Sequence, residues 1–136
     1  MKKRTVFLLC GGLAALLLAG AALGPSVIGT RPLKDLTAGD IQSAQIELFP
    51  PDVTIQLTRQ EIDRLVPLLN QVVIYRRDDS WREYSGQMCV FTLTMADGGQ
   101  ITVQAYNPFL IVDGTGWRTK YEPCEALNHF ANTLRN

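Results

Sequence analysis

Between Val6 and Leu23 the chain runs for eighteen residues without a charge, directly after the basic cluster Lys2-Lys3-Arg4. A helix of that length covers about 27 Å, close to the hydrocarbon thickness of a bilayer. Lipid suits such a segment, because a helix bonds its own backbone polar groups and these side chains are apolar. The basic cluster should keep the N-terminal end cytoplasmic, so whatever folds after about residue 25 is expected outside the membrane. The same segment carries a second reading. Ala19-Gly20-Ala21 is a small-residue cleavage pattern, and a cut near Ala21/Ala22 would release a secreted chain. Residues 1–24 are therefore a signal anchor or a signal peptide. Cys10 follows Phe7-Leu8-Leu9, near the front of the run, and reads as a small apolar residue rather than a lipid-attachment site.

Residues 25–40 have the composition of a tether, with Pro25, Gly29, Pro32 and Gly39 and no sustained periodicity. Residues 41–136 are expected to form one extracytoplasmic domain, and the exported part, about 110 residues, is the usual size of one compact unit. Charge narrows its partners. The chain has 13 basic and 13 acidic residues; without Lys2, Lys3 and Arg4 the balance is ten against thirteen. No basic stripe stands out beyond Arg76-Arg77, which Asp78-Asp79 neutralises at once. Nucleic acid is excluded as a partner on that basis, and the linear sequence offers no polybasic membrane contact.

Ala44 to Phe49 and Val53 to Leu57 alternate apolar and polar residues, as half-buried strands do, and a Pro50-Pro51-Asp52 turn separates them. Thr58 and Glu61 form a capping box ahead of Ile62, Leu65, Val66 and Leu69, which predicts a helix that Pro67 kinks or ends near Val66. Val72 to Tyr75 reads as a strand. Met88–Met95 and the strand through Ile101, Val103 and Ala105 flank Asp97-Gly98-Gly99, the clearest hairpin. Phe109 to Val112 and Trp117 to Tyr121 are further strands, and a helix from about Pro123 carries Cys124, Leu127, Ala131 and Leu134 on one stripe. The expected class is α+β: one antiparallel sheet of about six strands packed against two helices, behind the N-terminal transmembrane or signal helix.

The segments Leu33-Lys34-Asp35-Leu36, Phe49-Pro50-Pro51-Asp52, Tyr84-Ser85-Gly86-Gln87, Phe91-Thr92-Leu93-Thr94 and Tyr121-Glu122-Pro123-Cys124-Glu125-Ala126-Leu127 resemble a group of small, uncharacterised exported proteins of Gram-positive gut bacteria. Members look membrane-anchored or lipoprotein-like. The resemblance covers most of the chain from about residue 33 and implies location; it supplies no catalytic residues. This chain departs from the lipoprotein members in lacking a usable lipobox.

No catalytic signature is present: the sequence has no HExxH, no GxSxG and no phosphate-binding glycine loop. No cofactor or metal is expected, since His129 is the only histidine and ligand spacing is lacking. His129 reads as a solvated side chain paired with Glu125 one turn earlier. Asp97-Gly98 and Asp113-Gly114 read as turns, and Asp78-Asp79 as a charged loop. Trp81 and Tyr84, two aromatics in a polar segment, are candidate binding residues, though folding back over an edge of the core is the simpler account of them. Cys89 and Cys124 lie on apolar faces as buried thiols, or as a disulfide joining the last helix to the sheet. The expectation is a membrane-tethered binding or accessory module, held by Val6–Leu23, whose partner is an envelope protein or a cell-wall ligand. The alternatives are a carboxylate-dependent hydrolase of envelope polymers and a structural subunit of a membrane complex.

Overall fold

The computed structural model describes residues 29–135. The apolar segment, its cleavage pattern and Cys10 lie outside the described residues. Among the described residues, no helix is long and apolar enough to cross a membrane.

The domain is α+β, with seven strands rather than about six: β1 (Ile41–Phe49), β2 (Val53–Gln56), β3 (Ile74–Arg77), β4 (Met88–Met95), β5 (Gln100–Tyr106), β6 (Phe109–Val112) and β7 (Thr115–Thr119). Two helices, α1 (Arg59–Gln71) and α2 (Tyr121–Leu134), complete it. All strand pairs are antiparallel, in the order β2-β1-β4-β5-β6-β7-β3. The alternation seen in the sequence becomes two faces. Ile46, Leu48, Cys89, Phe91, Leu93, Val103, Ala105 and Leu110 point into the main core beneath α1 and α2.

The topology has one unusual demand. β2 and β3 are the two edges, so residues 57–73, with α1 between them, carry the chain across the helix-covered face. The segment 78–87 then returns it to β4, in the middle of the sheet, and packs on the opposite face. There Trp81 and Met88 cover a small second core of Tyr106, Phe109 and Ile111.

Helix α1 begins as its sequence predicts. The Thr58 side chain accepts from the Glu61 N–H at 3.2 Å, and the Glu61 carboxylate accepts from the Thr58 N–H at 2.8 Å. Pro67 does not end it; the helix continues to Gln71. Pro67 and Asp63, whose carbonyl it would otherwise bond, are both exposed, so the missing hydrogen bond falls on the solvent side of the helix. Three boundaries also move. β3 starts at Ile74 and includes Arg76-Arg77, the last strand ends at Thr119, and Tyr121 opens α2 instead of closing that strand.

The stretch expected as a tether behaves differently in its described part. Thr30 exchanges two 2.8 Å backbone hydrogen bonds with Ile74, extending the sheet beyond β3. Leu33 and Leu36 are buried in the main core, and the Asn70 side chain donates to both of their carbonyls, at 2.6 and 3.0 Å. Arg31 Nε donates to the Asn70 carbonyl at 2.9 Å. A stretch that shows no periodicity can still fold when two leucines three residues apart meet a helix end that bonds their backbone. Leu33→Ala is expected to lower unfolding free energy by about 2–4 kcal/mol, by cavity formation, in urea titration; an unchanged midpoint would show that residues 29–40 hang free.

Candidate functional site

At the end of the sheet where β4 begins and β5 ends lies a polar cleft of about 410 Å³. One wall is α2. Its core residues Cys124, Leu127 and Ala131 face the sheet, while Glu125, Asn128, His129 and Asn132, spaced i, i+3, i+4, i+7, line the cleft. The other wall is Ser85-Gly86-Gln87, and Tyr106 and Asn107 complete the lining. Gly86 sits at φ +150° against the Tyr106 ring, where a Cβ would be strained and would lie 3.4 Å from that ring.

Side-chain amides tie the walls together. Asn132 Nδ2 donates to Gln87 Oε1 at 2.9 Å, and Gln87 Nε2 donates to the Pro50 carbonyl at 2.8 Å. Asn107 Nδ2 donates to Glu125 Oε1 and to the Tyr121 carbonyl, each at 3.2 Å. Glu125 therefore engages Asn107, and no ion pair joins it to His129 among the described residues. Asn107 Oδ1 and Asn128 Oδ1 are sealed in without a hydrogen-bond partner. Buried orphan acceptors are destabilising, which makes two at one cleft informative.

Exposed aromatic residues adjoin residues of the cleft in sequence or through a backbone hydrogen bond. Among the described residues, the large hydrophobic side chains left exposed are Phe49, Tyr84 and Tyr121, at 39%, 53% and 57%. Phe49 precedes Pro50, which Gln87 bonds; Tyr84 precedes Ser85; Tyr121 shares Asn107 with Glu125. Tyr84 also meets the Phe109 ring edge-on, with centroids 5.2 Å apart.

The candidate binding pair thus separates. Tyr84 is exposed, next in sequence to Ser85 of the cleft wall, whereas Trp81 packs over the second core, directly above Gly116. A Cβ at Gly116 would lie 2.8 Å from Trp81 Nε1, so only glycine admits this approach. Asp78 and Asp79 fasten the same segment. Asp78 Oδ1 accepts from the Ser80 N–H and Oδ2 from Arg118 Nε, both at 2.9 Å. Asp79 Oδ1 accepts from the Gly116 N–H at 2.9 Å and Oδ2 from Arg77 Nε at 3.2 Å. Hydrogen bonds from Ser80, then Arg118, lower the Asp78 pKa from 3.8 to about 2; the Gly116 N–H, then Arg77, lower that of Asp79.

Cys89 on β4 and Cys124 on α2 are free thiols buried in the main core. Desolvation, reinforced by the nearby Glu125 charge, raises Cys89 to about 11. Cys124 rises to about 12, again chiefly through burial, and its Sγ donates to the Phe109 carbonyl at 3.6 Å. Among the described residues no group of three or more His, Cys, Asp or Glu side chains could hold a metal ion.

No protein-family model, curated protein or solved structure matches the chain.

Two measurements check these assignments. Depressed carboxylates stabilise above their unfolded pKa, so the Asp78 clamp should be intact at neutral pH and lost as pH falls from 3.8 toward about 2, seen as a change in Trp81 fluorescence before global unfolding. Raised thiols stabilise below the unfolded value of 9.0 and lose that contribution as pH climbs toward about 11 to 12. Neither thiol should react with Ellman's reagent in the folded protein, and both should react after unfolding without reductant; after unfolding, a count from which both are missing, leaving Cys10 alone in the full chain, would reveal the Cys89–Cys124 disulfide instead.

Proposed function

We propose that this protein is a membrane-tethered extracytoplasmic binding module whose cleft takes an uncharged saccharide segment of the cell envelope. The observation that carries the reading is the amide-rich lining of the cleft, together with exposed aromatic residues close to it along the chain. Saccharides present fixed hydroxyl donors and acceptors around their edge and an apolar C–H face. Asn128, Asn132, Gln87, Glu125 and His129 offer hydrogen-bonding groups of both kinds. Tyr84, Tyr121 and Phe49 offer flat apolar surfaces with few rotamers to lose.

Charge argues against other ligands for the same cleft. Its lining contains no Lys or Arg, and Glu125 would repel an anion. Aliphatic side chains are missing from the lining as well, which leaves a lipid tail nothing to pack against. Binding is favoured over envelope-polymer hydrolysis because Asp78 and Asp79 are occupied in fastening the 78–84 segment, while the cleft contributes one carboxylate, Glu125. Glycoside hydrolysis ordinarily uses two carboxyl groups about 5–10 Å apart.

Titration of the protein with cellotetraose and with tetrameric N-acetylglucosamine, followed by calorimetry, is expected to show binding to at least one. Asn128→Ala and Tyr84→Ala should each weaken it about tenfold, corresponding to about 1.4 kcal/mol. Heat signals absent for both saccharides would remove the assignment.

A further inference from the structure

The edge of the sheet where the described chain begins gathers basic residues that are scattered in the sequence. Thr30 pairs with Ile74, which places Arg31 beside Val73. The Lys120 N–H donates to the Val73 carbonyl at 3.0 Å, from the β7 side. Arg76 and Arg77 continue β3, and Lys34 lies in the turn that Asn70 holds against the end of α1. All five are exposed. At about 3.3 Å per residue along a strand and about 4.8 Å between strands, Arg31, Arg76, Arg77 and Lys120 fall within roughly 10 Å of Ile74.

The concentration is uneven across the domain. Five of the ten basic residues beyond residue 25 stand here, with Asp35, Asp78, Asp79 and Glu122 as neighbouring acids; the remainder has five basic residues against nine acidic ones. Among the described residues the ion pairs are Arg77–Asp79 and Arg118–Asp78, so Arg31, Lys34, Arg76 and Lys120 have no carboxylate partner. Protection of a sheet edge against strand addition accounts for charges on β3 itself. It does not account for Arg31, Lys34 and Lys120, which come from two other segments.

Chain length says what this edge faces. Six residues separate Leu23, the end of the apolar run, from Thr30. Fully extended, that connection reaches about 25 Å. On the tethered reading, the β3 edge, where Thr30 pairs with Ile74, is the part of the domain nearest the end of the anchor along the chain. Anionic headgroups attract basic side chains within about one Debye length, roughly 8 Å at physiological ionic strength.

We infer that the β3 edge, through Arg31, Lys34, Arg76, Arg77 and Lys120, docks on anionic lipid headgroups of the membrane that anchors the chain. The inference rests on the tethered reading above and is independent of what the cleft binds. Docking orients the domain. Arg76 and Arg77 lie at the end of β3 away from the cleft, whereas Arg31 and Lys120, opposite Val73, lie toward the cleft end.

The full chain, reconstituted in nanodiscs of phosphatidylglycerol or of phosphatidylcholine, provides the test, read by hydrogen exchange at the β3 backbone amides. Exchange should be at least about tenfold slower on phosphatidylglycerol in dilute salt, and the difference should vanish at about 0.5 M salt. Arg76→Gln with Arg77→Gln should reduce the difference, while unchanged β4 exchange shows that the variant is folded. Equal β3 exchange on both lipids would overturn docking and leave the tether standing. A mature N-terminus at Ala22 in the cell would overturn both.

Discussion

The absence of a side chain at Gly116 is the constraint on which the rest of the open sheet face depends. It lets Trp81 lie directly on β7, and Asp78 and Asp79 then close their hydrogen bonds onto Arg118 and the Gly116 N–H. This fastening holds the 78–87 segment as it returns from the sheet's edge to its middle. Trp81 seals the second core, Tyr84 settles against Phe109, and Ser85-Gly86-Gln87 is delivered as a wall of the cleft. An alanine at 116 would push on both Trp81 and the Asp78 carbonyl, so the second core and that wall would shift together.

Helix α2 serves both the core and the cleft. Its apolar stripe closes the main core, and its polar stripe, displaced around the same cylinder, forms the opposite wall of the cleft. A rigid, packed helix is a better support for hydrogen-bonding groups than a loop, since little freedom remains to be lost on binding. The amide chain from Asn132 through Gln87 to Pro50 extends that rigidity to the β1–β2 turn. The unpartnered Asn107 and Asn128 oxygens mark where this arrangement is held against its own hydrogen-bonding preference.

Much of the fold was legible because burial imposes a period. β4, β5 and β6, the capping box at Thr58 and Glu61, and the stripe on α2 all declare themselves in side-chain spacing. Pro67 does not end α1 because its cost depends on whether the freed carbonyl is open to solvent, which is a matter of which side faces out. Residues 29–40 misled because Leu33 and Leu36 have no local pattern to announce them; their burial is decided by Asn70, more than thirty residues away. The cleft had a signal that went unread. Glu125, Asn128, His129 and Asn132 repeat at helical spacing without a lysine or arginine among them, unlike an ordinary solvated face.

The sequence by itself determined an uncharged eighteen-residue segment, an antiparallel α+β pattern behind it, and two cysteines on apolar faces. Each follows from local composition and period, which need no partner from elsewhere in the chain. Only the tertiary structure decided that Asp78 and Asp79 act as fasteners, that Tyr84 and Trp81 part company, and that α2 meets the 85–87 segment across a cleft. It also decided that Arg31, Lys34, Arg76, Arg77 and Lys120 share one edge. Those outcomes depend on residues far apart in sequence arriving at the same place, and a crossing chain held by hydrogen bonds to one glycine is what brings many of them there.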